Sequence, residues 1–549
     1  MSHPPTQSVL SSDPHLIDML NFRVIIGILG AILLAYGIVL LIPMFVGLAA
    51  GEENWWSFGG AAVLGITLGV AGWNSYRPPD EIKVRDSFIN LMGSEVKREA
   101  TFVDRFEEMR VREAFVILAV TFLSLSLLGA LPFVWSGVLH SYSDAFFETM
   151  SGFTGTGATI LSAGGNPKPE ALPAAFLFWR AFTQWLGGLG MIILATALLP
   201  MLGIGGMQLF KGEVSGPAIK RISFRFKEVT KRVWGLYMLF TVIQIMLLLP
   251  GMSFLDAMTH AFSTISTGGF STKTESFKAY NSVYLEFVTI PFMLLGAINF
   301  NFIYQFFVNR DTTVLKRQVL VMFFSLIGIA TILITLSIYR PVAENFPPLQ
   351  LYRPEYKMYD DLFTAFRYGF FQVVSIATTT GFSNESMVGW IPFTFVVFFF
   401  LSIIGGMAGS TAGGVKIMRI LLLFKQIYRE MLLLIHPKAI IAIRLEKEII
   451  PQEIIRNVTS FIFVYFASLL AGTALMSLTC GLNLIEATGV VVSSLSGIGP
   501  PLQYIDGTFN GSYALMPVWG KWILSMLMLM GRVEIFTFLI LFMPHYWKR

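Results

Sequence analysis

Residues 151–160 read SGFTGTGATI, a run of Gly and Thr in a chain that is otherwise rich in Phe, Leu, Ile and Met. The run has no charge and little apolar surface, so it would make a poor membrane helix. With Gly157 as the anchor, similar runs occur at Gly269, Gly381 and Gly499, at nearly equal intervals along the chain. Four such runs in one register indicate an internal repeat.

The residues before the anchors support this repeat. DAFFETMSGFTGTG at 144–157 is similar to DAMTHAFSTISTGG at 256–269, with Asp-Ala at the same offset. YGFFQVVSIATTTG at 368–381 and EATGVVVSSLSGIG at 486–499 match more weakly, and Tyr368 replaces the acidic start in the third copy. Because a long apolar segment precedes and follows each anchor, the pattern predicts four copies of span, short segment and span.

Composition predicts an all-α polytopic membrane protein. Of 549 residues, 54% are apolar and only 13% are charged, about half the charged fraction of a typical soluble domain. The single cysteine, Cys480, excludes an internal disulfide framework, and the net charge of +5 is spread over loops rather than gathered for nucleic acid. Segments of the length that a bilayer crossing needs occur near 24–48, 57–75, 113–136, 174–201, 233–250, 283–307, 318–339, 390–424 (interrupted), 457–479 and 517–543.

The distribution of Lys and Arg predicts the orientation. The loops at 77–112, 202–232 and 416–456 are the richest in these residues and are expected to be cytoplasmic. Loops of opposite parity are poorer, and 138–173 carries only Lys168. Both termini then face the cytoplasm, and SGFTGTGATI lies toward the outside.

The short segments are too short to cross the membrane. From Asp144 to Thr156 a helix would span about 20 Å, less than the ~30 Å hydrocarbon core, so it must enter and return. Asp144, Asp256 and Glu486 stand where such helices would begin, next to the positive end of the helix dipole. The negative ends then point at the Gly/Thr runs, where rings of backbone carbonyls can replace the hydration shell of a cation. The sequence predicts an ion-selectivity filter, and the alternative is four ordinary Gly/Thr helix-packing motifs.

The chain resembles the Trk/Ktr/HKT superfamily of potassium-uptake proteins over almost its whole length, most closely the bacterial TrkH/TrkG branch. The residues that carry this resemblance are SGFTGTGAT, STISTGGFST, SIATTTGFSN, SSLSGIGPPL, GGMAGSTAGGVK (405–416) and GRVEIFT (531–537). The resemblance implies four parallel span–pore-helix–filter–span modules around one pseudo-fourfold pore. The expected parts are an N-terminal part with two extra transmembrane helices and a basic loop (1–112) and modules at 113–232, 233–317, 318–456 and 457–549.

The same resemblance implies the site and its partners. Glycine at all four anchors implies selectivity for K⁺, with Ala158 and Pro500 as departures from the Phe270 and Phe382 of the other copies. The expected K⁺-binding residues are Gly155, Thr156, Gly157, Thr267, Gly268, Gly269, Thr379, Thr380, Gly381, Gly497, Ile498 and Gly499. No cofactor beyond the transported K⁺ is expected. A homodimer in the bacterial inner membrane and a cytosolic nucleotide-binding ring of the TrkA type are expected as the assembly, with 202–232 and 416–456 as candidate docking loops.

GGMAGSTAGGVK interrupts an apolar span with five glycines, enough to break a helix within the bilayer. It is not a phosphate-binding loop, because Val415 separates Gly414 from Lys416 and Ile417 stands where Ser or Thr is required. The expected role of the intramembrane loop at 405–414 is a gate below the filter, and the alternative is a merely kinked helix. The expected gate residues are Gly405, Gly406, Gly409, Gly413, Gly414 and Arg532.

Arg532 stands near the middle of the last span, where a charge costs at least about 2.5 kcal/mol unless it has a partner or water. It cannot pair with Glu534, two residues away on a helix. We expect Arg532 to face the ion path and the Gly-rich loop, and the alternative is a structural ion pair with another module. Arg180 and Gln184 lie one turn apart, and packing or interfacial anchoring is the favoured interpretation for both.

The sequence does not favour an enzyme. The six histidines show no metal-ligand spacing, and no nucleophile–base pair stands out. The expected function is potassium uptake through a channel-like pore with an intramembrane gating loop. The alternative is a secondary transporter that couples K⁺ to Na⁺ or H⁺, although such proteins often have inverted repeats and these four run parallel.

Overall fold

The protein is almost entirely helical. In the computed structural model, the described residues are 20–75, 82–84, 96–98, 111–193, 219–345, 356–446, 448–502 and 512–547. The helices are α1 (Phe22–Val39), α2 (Leu41–Ala49), α3 (Trp55–Asn74), α4 (Val111–Trp135), α5 (Tyr142–Thr154), α6 (Ala174–Ile193), α7 (Ile219–Leu248), α8 (Phe254–Ile265), α9 (Val283–Ala297), α10 (Phe300–Phe307), α11 (Gln318–Ile338), α12 (Arg340–Asn345), α13 (Leu362–Ala377), α14 (Pro392–Ile404), α15 (Ile417–Ile435), α16 (Gln452–Cys480), α17 (Leu484–Ser496), α18 (Val518–Arg532), α19 (Ile535–Leu539) and α20 (Pro544–Trp547). Two antiparallel pairs of short strands complete these elements: β1 (Ile82–Val84) with β2 (Val96–Arg98), and β3 (Arg444–Leu445) with β4 (Glu448–Ile449).

Six helical stretches among the described residues are long and apolar enough to cross a membrane. They are Phe22–Ala49, Trp55–Asn74, Arg112–Trp135, Lys231–Leu248, Gln318–Ile338 and Gln452–Cys480. Two further predicted spans are bent pairs: α9 meets α10 at 111°, and α18 meets the helical stretch Ile535–Phe542 at 119°.

The remaining two predicted spans differ from simple helices. Helix α6 accounts for the beginning of the span at 174–201, and residues 194–201 lie outside the described part. The span at 390–424 is interrupted, as the glycines predict, because α14 ends at Ile404 and α15 begins only at Ile417. The 13 residues of α14 are therefore too few for a full crossing.

The first two spans form a tightly packed pair. A Cβ on Gly30 would lie 2.8 Å from the Cα of Gly72, and one on Gly69 would lie 2.4 Å from the backbone nitrogen of Leu34. Small residues at the crossing thus let two helix backbones approach closely, as is common in membranes. Glu52, in the turn between the spans, accepts the N–H groups of Ala174 and Ala175 at the start of α6. This contact joins the N-terminal pair to the rest of the fold.

Four short helices, α5, α8, α13 and α17, precede the four anchor glycines. They have 13, 12, 16 and 13 residues, so none is long enough to span the hydrocarbon core. Asp144, Asp256 and Glu486 lie in the first turns of α5, α8 and α17, as expected. The third helix begins earlier than the repeat suggests, since Asp361 caps it through the N–H of Thr364. An acidic start is therefore present in that copy as well, several residues before Tyr368.

Candidate functional site

The segments that end at the four anchor glycines share one backbone hydrogen bond. In each copy, the residue before the anchor donates its N–H to the carbonyl of a serine five residues earlier in the chain. The bonds are Thr156 to Ser151 (2.9 Å), Gly268 to Ser263 (2.8 Å), Thr380 to Ser375 (2.8 Å) and Ile498 to Ser493 (2.9 Å). Four stretches far apart in sequence therefore end their helices in the same way.

The backbone also adopts left-handed conformations at the same two positions of each copy. All four anchors have positive φ, from 78° at Gly381 to 107° at Gly499. Two residues earlier, φ is 64° at Gly155, 52° at Thr267, 57° at Thr379 and 70° at Gly497. Threonine is rarely found in this region, so the surrounding structure imposes the conformation on the second and third copies. Such strain is typical of functional sites.

The four anchors lie in a closed ring of contacts. A Cβ on Gly157 would lie 2.0 Å from the carbonyl oxygen of Gly268, and one on Gly269 would lie 1.8 Å from that of Thr380. A Cβ on Gly381 would lie 1.9 Å from the Ile498 oxygen, and one on Gly499 would lie 2.6 Å from the Thr156 oxygen, which closes the ring. The structure thus brings all twelve predicted filter residues together, in the order first, second, third and fourth copy.

This arrangement has the chemistry of a site for a bare cation. The nearest groups that meet the four anchors in the described residues are backbone oxygens, and short helices end at the ring with their partially negative carbonyl ends. Rings of carbonyls of this kind substitute for the water around an alkali ion. Only glycine fits at the anchors, because a side chain there would meet the oxygen of the neighbouring copy and would have to adopt positive φ.

Polar side chains behind the ring, which the sequence reasoning missed, hold the segments that leave it. Glu148, His260 and Gln372 occupy the same position, nine residues before their anchors. Glu148 accepts the N–H of Ile160 at 3.0 Å, His260 contacts the Ser271 hydroxyl at 2.9 Å, and Gln372 donates to the Glu385 carbonyl at 2.8 Å. Their shared offset in the repeat was the signal that could have found them.

Tyr513 and Arg180 make further contacts that support the fourth copy and the first. Tyr513 donates its hydroxyl to the carbonyl of Gly499 at 2.8 Å, and its backbone N–H to Thr159 at 2.9 Å. Glu148 also pairs with Arg180, with 2.7 Å between Oε1 and Nε, and both side chains are buried. Arg180 reaches the Ser271 carbonyl at 3.1 Å as well, so this residue bridges the first and second copies.

The Gly-rich loop, residues 405–416, lies against three of the four copies. Thr411 contacts the hydroxyl of Thr267 at 3.2 Å, and the N–H of Gly413 donates to the hydroxyl of Thr379 at 2.8 Å. A Cβ on Gly413 would lie 1.9 Å from the carbonyl oxygen of Ser496. All five predicted gate glycines are therefore in one non-helical segment that reaches the copies through Thr411 and Gly413. Three of the five (Gly405, Gly409 and Gly414) have positive φ.

Arg532, at the end of α18, lies between the loop and the first copy. It is 6% exposed, and its Nη1 and Nη2 donate to the carbonyls of Thr411 (2.8 Å) and Gly187 (2.9 Å). A Cβ on Gly155 would lie 3.5 Å from Nη2. Within the described chain, Arg532 pairs with no carboxylate and its Nε has no hydrogen-bond partner. The expectation that Arg532 faces the Gly-rich loop matches this geometry, and the alternative ion pair does not.

Glu534 has a different partner. It pairs with Arg419 of α15 at 2.8 Å, and Arg419 also stacks on the ring of Phe461. Lys416 donates to the carbonyl of Ala412 within its own loop. Because Glu534 and Lys416 both have positive φ, the chain turns sharply where α15 and α19 begin. A small cavity beside these charges is lined by Gly413, Arg532 and Glu534.

Among the described residues, no cluster of three or more His, Cys, Asp or Glu side chains could hold a metal ion. Helices of bilayer length together with a ring of uncharged backbone oxygens define the class, an integral membrane protein with a site suited to a bare cation. Comparison with known families gives the particular assignment. The chain belongs to the TrkH family, described as cation transport proteins, whose sequence model matches residues 84–549.

Individual relatives agree with this assignment. The Trk system potassium uptake protein TrkH of Halomonas elongata is 33% identical over 539 residues, which cover 96% of this chain and 100% of that protein. The protein of the same name from Escherichia coli is 37% identical and covers 80% of this chain and 87% of its own length. The crystal structure of the potassium transporter TrkH from Vibrio parahaemolyticus is similar, with a TM-score of 0.80 at 30% identity over 96% of this chain and 100% of that one. The family resemblance carried by the glycine motifs is therefore confirmed.

Proposed function

We propose that this protein takes up potassium ions across the bacterial inner membrane through a K⁺-selective, channel-like pore. The observation that carries the proposal is the closed ring in which each anchor glycine packs against the carbonyl of the next copy. Related chains named as Trk system potassium uptake proteins, at 30–38% identity, support K⁺ as the ion. The twelve predicted filter residues supply the carbonyls, and the parts from 113 onward act as four pore modules around one axis.

The Gly-rich loop is the proposed gate. It lies beside the ring and is held by backbone hydrogen bonds to α9, such as that from the N–H of Met407 to the carbonyl of Ala297 at 2.9 Å. Arg532 places a fixed positive charge between this loop and Gly155. A charge there opposes the passage of K⁺, so a conducting state requires the loop and Arg532 to move or to be screened.

The proposed assembly is a homodimer with a cytosolic nucleotide-sensing ring of the TrkA type, with both termini of each chain in the cytoplasm. The relatives' names place them in a Trk system, which supports a protein partner. The chain itself holds no phosphate-binding loop at 405–416, so nucleotide control would come from the partner. Mass measurement of the purified protein in detergent, with and without such a ring, tests this assembly.

Ion flux into liposomes tests the function. Protein reconstituted in liposomes should pass rubidium tracer down its gradient, K⁺ should compete far better than Na⁺, and empty liposomes are the control. Flux that requires an inward Na⁺ or H⁺ gradient would instead favour the secondary transporter. Absence of cation-dependent flux from folded protein, under conditions that remove the loop barrier, would contradict both.

A further inference from the structure

The residue that precedes the anchor glycine has a side chain in three copies and none in the second. The four residues there are Thr156, Gly268, Thr380 and Ile498, so only the second copy has no side chain. The φ of Gly268 is not in the left-handed region, unlike that of Gly269. The backbone of Gly268 therefore does not require a glycine, and the reason for this residue lies in its surroundings.

Gln184 of α6 fills the place where a side chain of Gly268 would be. A Cβ on Gly268 would lie 2.4 Å from Cδ of Gln184, with the amide oxygen at 2.6 Å and the nitrogen at 2.8 Å. Gln184 is fully buried. A side chain from the first copy thus substitutes for one that the second copy lacks, across the boundary between them.

The amide of Gln184 also holds the peptides on both sides of Gly269. Its Nε2 donates to the carbonyl of Gly268 at 2.7 Å, and its Oε1 accepts the N–H of Phe270 at 3.1 Å. The pattern uses one donor and one acceptor, so it fixes which way the amide points. Because Gly268 and Gly269 are consecutive glycines with wide backbone freedom, this pair of bonds restricts the orientation of a ring carbonyl.

The fourth copy has a different residue at the corresponding place. Gly187 of α6 packs against the Phe153 carbonyl, and Gly531 of α18 packs in the same way against that of Leu495, each with a would-be Cβ at 2.0 Å. Three residues before these glycines stand Gln184 and Met528. Met528 is buried and apolar. The fold therefore accommodates a methionine in the fourth copy at the place where the first copy has the amide of Gln184.

We propose that Gln184 is a positioning residue for ion discrimination: it replaces the missing side chain of Gly268 and sets the orientation of the Gly268 carbonyl in the ring. The inference rests on the proposed filter function. Unlike a packing role, it predicts that loss of the amide changes the preference between cations and not only the stability of the fold.

Gln184→Met tests the inference with a residue of similar volume that lacks the amide. We expect the ratio of K⁺ to Na⁺ permeability in planar bilayers to fall by roughly three- to tenfold, the size of one lost hydrogen bond. The rise in unfolding temperature produced by K⁺ over Na⁺ should shrink, because the ion that binds the folded state more tightly stabilises it more. Met528→Leu, at the corresponding place in α18, is the control and should leave both quantities unchanged.

A side-chain exchange between the two copies gives an independent test. Gly268→Thr alone should collide with Gln184 and lose K⁺ selectivity, whereas Gly268→Thr combined with Gln184→Ala opens space for the threonine and should recover part of it. Absence of any rescue would overturn the part of the proposal in which Gln184 takes the place of a Gly268 side chain. If Gln184→Met does not fold, the double variant still tests that part.

The outcomes separate this inference from the filter proposal. If Gly381→Ser lowers K⁺ discrimination but Gln184→Met and the exchange pair do not, the ring is a filter and the role of Gln184 is overturned. If the unfolding temperature of Gln184→Met falls equally in K⁺ and Na⁺ with unchanged permeability ratios, the residue is a packing element only. If Gly381→Ser also leaves discrimination intact, the filter proposal itself fails.

Discussion

Nη1 of Arg532 donates a 2.8 Å hydrogen bond to the carbonyl oxygen of Thr411, in the middle of the Gly-rich loop. The two residues come from different parts of the chain and meet beside the ring of anchor glycines. Among the described residues this buried guanidinium bonds to carbonyls and pairs with no carboxylate, so no neighbouring negative charge offsets its own beside the proposed filter. This single contact joins the two features that the sequence marks as a gate.

Removing the charge of Arg532 should increase ion flux. Arg532→Ala takes away both the repulsion of K⁺ and the bond that holds Thr411, so rubidium uptake per folded protein in liposomes should rise. Arg532→Lys keeps the charge and serves as the matched control, with flux close to that of the parent. Lower flux together with lower yield of Arg532→Ala would indicate that the side chain is structural.

Shortening the Gly-rich loop should also increase ion flux. Deletion of residues 407–412 removes the segment that contacts Asn299 and Thr267, and it should raise rubidium uptake and reduce dependence on a cytosolic partner. Size-exclusion chromatography checks that the variant keeps its fold. A folded deletion variant that conducts no more than the parent would refute the gate.

A side chain on an anchor glycine should weaken discrimination between cations. Gly381→Ser places a Cβ where the Ile498 oxygen lies, at a φ of 78°, so the ring must deform. We expect the K⁺ to Na⁺ permeability ratio to fall by at least about tenfold, which corresponds to about 1.4 kcal/mol. Gly157→Ser, Gly269→Ser and Gly499→Ser should act alike. Gly328→Ser, in α11 with open space around it, is the control and should behave as the parent.

The buried pair of Arg419 and Glu534 should be important for stability. Their side chains are 9% and 10% exposed and lie 2.8 Å apart, so Glu534→Gln leaves a buried cation without its counter-charge. Breaking such a pair costs about 3–5 kcal/mol, and the unfolding temperature in detergent should fall clearly. Arg419→Met combined with Glu534→Gln should be less destabilised than the single change. An equal loss in both would argue against a coupled pair.

Glu385, on the loop after the third anchor, should make a pH-dependent contribution to the stability of the fold. Burial opposes its ionisation, but Lys357 at 2.9 Å, the N–H of Ser386 and Lys278 at 3.1 Å outweigh this and hold the pKa of Glu385 below its usual range. The stabilisation is therefore present above the unfolded pKa of about 4.3 and is lost as the pH falls through the lower folded value.

Glu385→Gln should accordingly lower the unfolding temperature at pH 7 and have a shrinking effect toward pH 3. Because both lysines are about one-third exposed or more, at 32% and 39%, we expect about 1 kcal/mol or less at pH 7. Glu275→Gln, on the preceding loop, is a control for general changes in surface charge. A difference from the parent that persists unchanged at pH 3 would contradict the assignment.

Much of the site could be read from local features of the sequence. The glycines at 157, 269, 381 and 499 are needed because the backbone there has positive φ. This requirement is visible in the sequence as a glycine at the same position of each copy. The short helices follow from segment length against bilayer thickness, and the break at 405–416 follows from its glycines. Arg532 is conspicuous because a charge within an apolar span is costly wherever it points.

Only the tertiary structure decided which of these parts meet. The order of the ring, the contact of Gln184 with Gly268 at a separation of 84 residues, and the pairing of Arg419 with Glu534 at a separation of 115 depend on how helices pack. Contacts between residues so far apart in the chain cannot be recognised in the local sequence, because the same helix periodicity is compatible with many different partners. A glycine in the sequence indicates a backbone conformation that other residues rarely adopt. The role of a buried amide or charge depends instead on its partners, and only the packing of the helices determines which groups those are.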